Sequence, residues 1–208
     1  MTRVFPISLG TVEVIAERPF THTDHISTER EILVHMAKRL WSVLEESPDL
    51  LGMRQAITIN EPDGHYHRYF VPRPNVLSQA KNIYFVGFFS HRQEGATIGH
   101  FGDLDDRLIE QIPTFQEILS YSSMALPDGE FGNLVLLQNE EIKSKWMHGE
   151  THSQAVGLAP GYYQFVRIHN GVLPEGVMRP DLLQIMQVKY YDYAENPPWK
   201  AVRTFTQG

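Results

Sequence analysis

Histidine carries most of the candidate chemistry in this chain, which has 10 histidines and no cysteine. Residues 146–152 read WMHGETH. On a helix His148 and His152 are four apart and share a face, so both rings reach one metal ion or one haem edge. Trp146 is turned by about 200° from His148, which puts it with Ile142 and Gly149 on the inward row. The plain alternative is a solvated helix face beside a core tryptophan; a partner interface is a third reading.

Three further groups carry polar chemistry. In HYH, residues 65–67, a strand points His65 and His67 to one side, the geometry of a two-histidine chelate. A third ligand would come from His22, Asp24 or His25 in HTDH, or from His91 or His100. A strand with one wet face explains the same alternation. The loop SHRQEGATIGHFG, residues 90–102, offers His91, Arg92 and His100 to an anionic or oxygenated ligand. Its glycines do not follow GxGxxG or GxxxxGK spacing, so no nucleotide cradle is expected, and a plain surface loop remains open. In YYQFVRIH, residues 162–169, strand alternation sets Tyr163, Phe165, Arg167 and His169 on one face. An arginine and a histidine among aromatics make a wall for an aromatic acid or a haem propionate. A sheet edge covered by an arginine stem is the plain reading.

Other chemistries are not indicated. There is no GxSxG and no HExxH. The absent cysteines remove disulfides, thiolate metal sites and cysteine nucleophiles. Asp105-Asp106 and Glu140-Glu141 sit at helix starts, where the helix dipole explains them.

The elements that must position these groups follow from periodicity. Residues 10–20 alternate and predict a strand; 27–46 predict a helix, with Thr28 and Glu31 as its capping box and Leu33, Met36, Leu40 and Leu44 as its apolar face. Residues 53–60 and 65–71 predict a hairpin around EPDG, and 72–81 a connector. Then come a very apolar strand at 81–90 and a helical period over 103–124 that Pro113 interrupts. A strand at 133–138 and a helix at 140–156, capped by Asn139, follow. Strands at 162–171 and 182–193 close the order, with the Pro197-Pro198-Trp199 tail laid across a surface. The order β-α-β-β, connector, β-α-β-α-β-β predicts an α+β class.

The stretch NLVLLQNEEIKSKWMHGETHSQAV…GYYQFVRIHNG resembles the second half of the dimeric α+β barrel (ferredoxin-like) superfamily, and the strand 81–90 with the helix after it is similar to the first half. That superfamily includes antibiotic-biosynthesis-type monooxygenases and haem proteins. The resemblance covers about residues 81–193. It implies a ferredoxin-like unit at 81–208, with residues 1–80 as a degenerate second unit packed into the same globule. It also implies a homodimer and a sheet–helix cavity for a small apolar or aromatic molecule, oxidised without a cofactor or with haem. On this reading His148, His152, His169 and Arg167 are catalytic, and Trp146, Tyr163, Phe165, His91, Arg92 and His100 line the ligand. A metal at His65 and His67, or a non-catalytic binding or structural protein of the same fold, stay open.

Bulk properties narrow the partners. A formal charge of -7 argues against nucleic acid, which needs a basic face. A hydrophobic fraction of 42% and a charged fraction of 21% describe a folding chain. No apolar run reaches the roughly 18–20 residues that cross a bilayer, and the first ten residues lack a signal-peptide core, so a soluble cytoplasmic protein is the default expectation.

Overall fold

The protein is described by a computed structural model that covers residues 5–52, 55–61, 66–96 and 106–205. Nine strands form one mixed sheet: β1 (Ile7–Leu9), β2 (Ile57–Asn60), β3 (Tyr66–Phe70), β4 (Ile83–Arg92), β5 (Ile118–Ala125), β6 (Phe131–Leu137), β7 (Tyr163–Leu173), β8 (Gln184–Asp192) and β9 (Trp199–Thr204). Their order is β1-β9-β8-β7-β4-β6-β5-β3-β2. All pairs are antiparallel except β1 with β9. The described strands thus run as an open sheet from the β1 edge to the β2 edge, and closure into a barrel is not seen among them.

Helices lie on both faces, because the central strands are apolar on both sides. The long helix α1 (Thr23–Glu46) and the short α2 (Pro74–Gln79) cover one face. There Leu33, Met36, Ala37 and Leu40 of α1 pack on Phe85 and Phe89 of β4 and Leu134 and Leu136 of β6. Each such buried Leu, Met or Phe side chain contributes on the order of 1.5–3 kcal/mol. Gly87 lets α1 come this close: a Cβ there would lie 2.9 Å from the Leu33 methyls. The other face carries Tyr84, Val86, Val135 and Leu137 against a second group of helices. These are α3, residues 106–111, α4 (Glu141–Met147) and α5 (Glu150–Leu158).

Several expected elements differ, each for a local reason. Residues 10–20 form no strand. Their Thr11 and Glu13 carbonyls accept from the buried Arg203 guanidinium instead of a sheet ladder. The first helix starts at Thr23, four residues early, because His22 Nδ1 accepts from the Asp24 amide and supplies the cap assigned to Thr28. The connector 72–81 contains α2, opened by Pro74 at a position where proline is favoured. The expected helix 103–124 is short: Pro113 sits in a 3-10 turn, and Ile118–Ala125 is a strand that periodicity hid. The expected helix 140–156 is two helices, because Gly149 adopts an extended backbone between them. Beyond Pro198 the tail is β9.

Candidate functional site

Residue 29 is the anomaly from which the site can be built. Glu29 stands one turn before Leu33 on the buried stripe of α1 and is only 4% exposed. A buried carboxylate must be paired, since desolvating an isolated ion costs far more than a fold can supply. Its partners come from β7. Arg167 and His169 are two apart, so they share the face toward α1, and Gly87 of β4 is directly opposite His169. Arg167 donates from Nε to Glu29 Oε1 at 2.7 Å, with Nη2 at 2.5 Å from the same oxygen. His169 Nε2 lies 2.5 Å from Glu29 Oε2.

The electrostatics follow. Burial drives the Glu29 carboxyl upward, but the His169 hydrogen bond and the charges of His169 and Arg167 outweigh it and hold the group below the usual glutamate range. The carboxylate is therefore ionised at neutral pH. One turn earlier on α1, exposed His25 is pushed down by partial burial and by the Arg167 charge. Tyr190 of β8 is the cross-strand neighbour of Arg167, and burial raises its phenol. Three buried polar atoms of this cluster have no partner among the described residues: Arg167 Nη1, His169 Nδ1 and the Tyr190 hydroxyl. Aromatic rings flank it. Phe165 stacks on Phe20 at 4.5 Å and on His91 at 5.1 Å, and Phe89 meets His169 edge-on at 5.5 Å.

Of the residues expected from sequence, the structure gathers His91, Phe165, Arg167 and His169 around this cluster. Tyr163 leaves the shared face: a register shift at His91/Arg92 sets it opposite Arg92 and turns its ring onto Phe88. Arg92 binds the buried Glu130 at 3.1 Å and the Gly129 carbonyl at 2.5 Å, so it closes the β5–β6 turn. His100 and His65 lie outside the described residues.

Trp146, His148 and His152 lie on the opposite side of the sheet. The break at Gly149 cancels the four-residue geometry of one helix. Trp146, expected opposite the histidines, stacks on His152 at 5.3 Å. His148 is exposed and hydrogen-bonds the Ser144 carbonyl at 2.6 Å. Ile142 and Trp146 do face the core.

His67 is fully buried, and its Nδ1 is 2.5 Å from the Tyr69 hydroxyl. Burial lowers its pKa to about 3, with His35 and Arg39 adding to the shift, and pushes the Tyr69 phenol upward. A neutral imidazole beside a protonated phenol makes Tyr69 the donor, and the ring proton then sits on His67 Nε2. Glu61 is taken by Arg39 at 3.0 Å. Among the described residues no three metal-ligating side chains come together. A haem does not fit at His169 either: its Nε2 is committed to Glu29, and the edge-on Phe89 ring occupies one flank.

Sequence reasoning missed Glu29 and Tyr190. The signal for Glu29 was present: it precedes Leu33, Met36 and Leu40 at the helical spacing of the apolar stripe. Tyr190 lies in an alternating strand that gives no hint of its partner.

Comparison with known proteins adds little. No family model matches the chain, and no curated protein does. A search of solved structures finds a "putative monooxygenase" from Lactobacillus acidophilus NCFM, with 9% identity, a TM-score of 0.40 and 52% of each chain covered. The likeness thus spans about half of either protein and says nothing about chemistry. No helix among the described residues is long and apolar enough to cross a membrane.

Proposed function

We propose that this is a small-molecule-binding α+β protein whose site is the Glu29–Arg167–His169 cluster. Its ligand is a small aromatic or apolar molecule bearing an acidic or oxygenated group. One observation supports the reading: a paired, buried carboxylate orients an imidazole and a guanidinium that each keep one polar nitrogen without a partner among the described residues. Arg167 Nη1 is a donor for the ligand's oxygen. His169, whose Nε2 is held by Glu29, turns its Nδ1 to the ligand as a second polar contact. Phe165 and the stacked His91 offer ring surfaces. The finer form of the proposal is a monooxygenase-like step in which dioxygen oxidises a CH2 group of the ligand to C=O and its second oxygen leaves as water.

The fold reading belongs with it. Strands β4 to β7 run β-α-β-β-α-β and lie in the order β7-β4-β6-β5, which is the strand order of a ferredoxin-like unit. Helix α1 covers the sheet face on which a second sheet would pack in an α+β barrel. Pairing of two copies, if it occurs, then uses another surface.

A second reading has its own support. His169 is 0% exposed. On that reading the cluster clamps α1 to the sheet and binds nothing. Titrating the protein with benzoate and phenol while following backbone amide shifts separates the two. The site reading predicts shifts around Phe165, Arg167 and His91 that Arg167→Gln abolishes while the fold persists. The clamp reading predicts no localised shifts with either compound.

A further inference from the structure

On the face away from Glu29, the strand that carries His169 presents its next residue to a cleft of ≈ 170 Å³. Asn170 is 9% exposed and lines this cleft. Its Oδ1 accepts from Lys143 Nζ at 3.0 Å, which fixes the amide with Nδ2 as its remaining donor. That Nδ2 is buried and has no partner among the described residues. A buried donor left unsatisfied is costly, so a partner from outside the chain is favoured there.

A cation stands beside that donor. Lys143 is 19% exposed, and its ion pair with Glu140 is long, at 3.6 Å, with Glu140 66% exposed. Lys189 is on the same sheet face, two residues from Gln187, which is opposite Asn170. Burial, and then the charge of Lys143, hold the Lys189 ammonium below its ordinary value, while Glu140 opposes this. In the lining itself Lys143 is the cation, next to the Asn170 donor, and Glu140 is the anion that an incoming carboxylate would replace. Tyr84, Leu137 and Phe205 supply apolar walls.

We propose that this cleft is a second binding site, for a small organic carboxylate with a short apolar body. One carboxylate oxygen accepts from Asn170 Nδ2, and the other accepts from Lys143 Nζ in place of Glu140. At ≈ 170 Å³ the cleft is smaller than a drug-sized pocket, which suits a molecule of a few carbons. The site is separate from Arg167, because Asn170 and Arg167 project from opposite faces of β7.

Sodium butyrate, followed by backbone amide shifts on the full chain, tests it. Butyramide serves as the neutral isostere. The expected result is a set of shifts confined to Lys143, Asn170, Gln187 and Thr204 with butyrate and absent with butyramide. Lys143→Gln should raise the Kd about tenfold, the loss of one charge-assisted hydrogen bond. Asn170→Asp, which puts a carboxylate where the donor stands, should abolish binding. Circular dichroism checks that each variant is folded, and Lys143→Gln, which leaves the core untouched, decides if Asn170→Asp unfolds. No binding, an equal response to butyramide, shifts around Arg167 alone, or an unchanged Kd in Lys143→Gln would overturn the proposal.

Discussion

Glu29 and His169 stand 140 residues apart in the chain, and their side chains meet at 2.5 Å in the interior. This contact, with the Arg167 pair beside it, fixes the start of α1 against β7. Here one buried carboxylate serves two basic groups from one strand.

Removing the carboxylate leaves Arg167 buried without its counter-charge. Glu29→Gln should therefore lower unfolding free energy by about 3 kcal/mol, the cost of breaking one side of a buried pair. Urea denaturation of the variant checks this. A loss below about 1 kcal/mol would show the pair to be solvated.

The same group sets an acid limit. The folded carboxyl lies below its ordinary value of about 4.5, so in acid the unfolded state binds the proton first. The stabilisation is full above that ordinary value and is lost as pH falls through the lower folded value. The stability difference between the wild type and Glu29→Gln should be constant near neutrality and shrink in acid. A difference that grows on acidification contradicts this.

His67 gives an independent acid effect. Its folded pKa is lowered to about 3 from 6.5, so between those values the unfolded chain takes a proton that the native chain refuses. Stability should decline as pH drops below 6.5, with a slope of up to about 1.4 kcal/mol per unit from this group. In a proton NMR titration the His67 ring signals should not move between pH 5 and about 8. A midpoint near 6.5 would place His67 in water.

Gly87 sets how closely α1 approaches the sheet. Gly87→Ala places a methyl 2.9 Å from both Leu33 methyls and 3.4 Å from the His169 Cβ. The expected cost is about 1–3 kcal/mol from overpacking, read by thermal denaturation, with weaker ligand response at Arg167. An unchanged melting temperature would mean that α1 sits further out.

Much of this architecture is readable in the residues, and the failures are instructive. The apolar runs around Phe85, Leu136 and Val166 announce buried strands, and the Leu33–Leu40 stripe announces α1. Strand alternation put Phe165, Arg167 and His169 on one face, as found, while a register shift that no local pattern encodes moved Tyr163 away. The β5 strand was hidden because Phe115 and Leu119 extend the helical period past Pro113. Residues 10–20 look like a strand, yet their carbonyls answer a guanidinium at residue 203, a partner too distant for any window to find. The pairing of residue 29 with residue 169 depends on tertiary packing in the same way.

A double-mutant cycle on Glu29→Gln and His169→Gln tests the central contact most directly. If the two side chains share the buried hydrogen bond described, the cycle should return a coupling of about 1.5 kcal/mol or more. Additivity to within about 0.5 kcal/mol would contradict it.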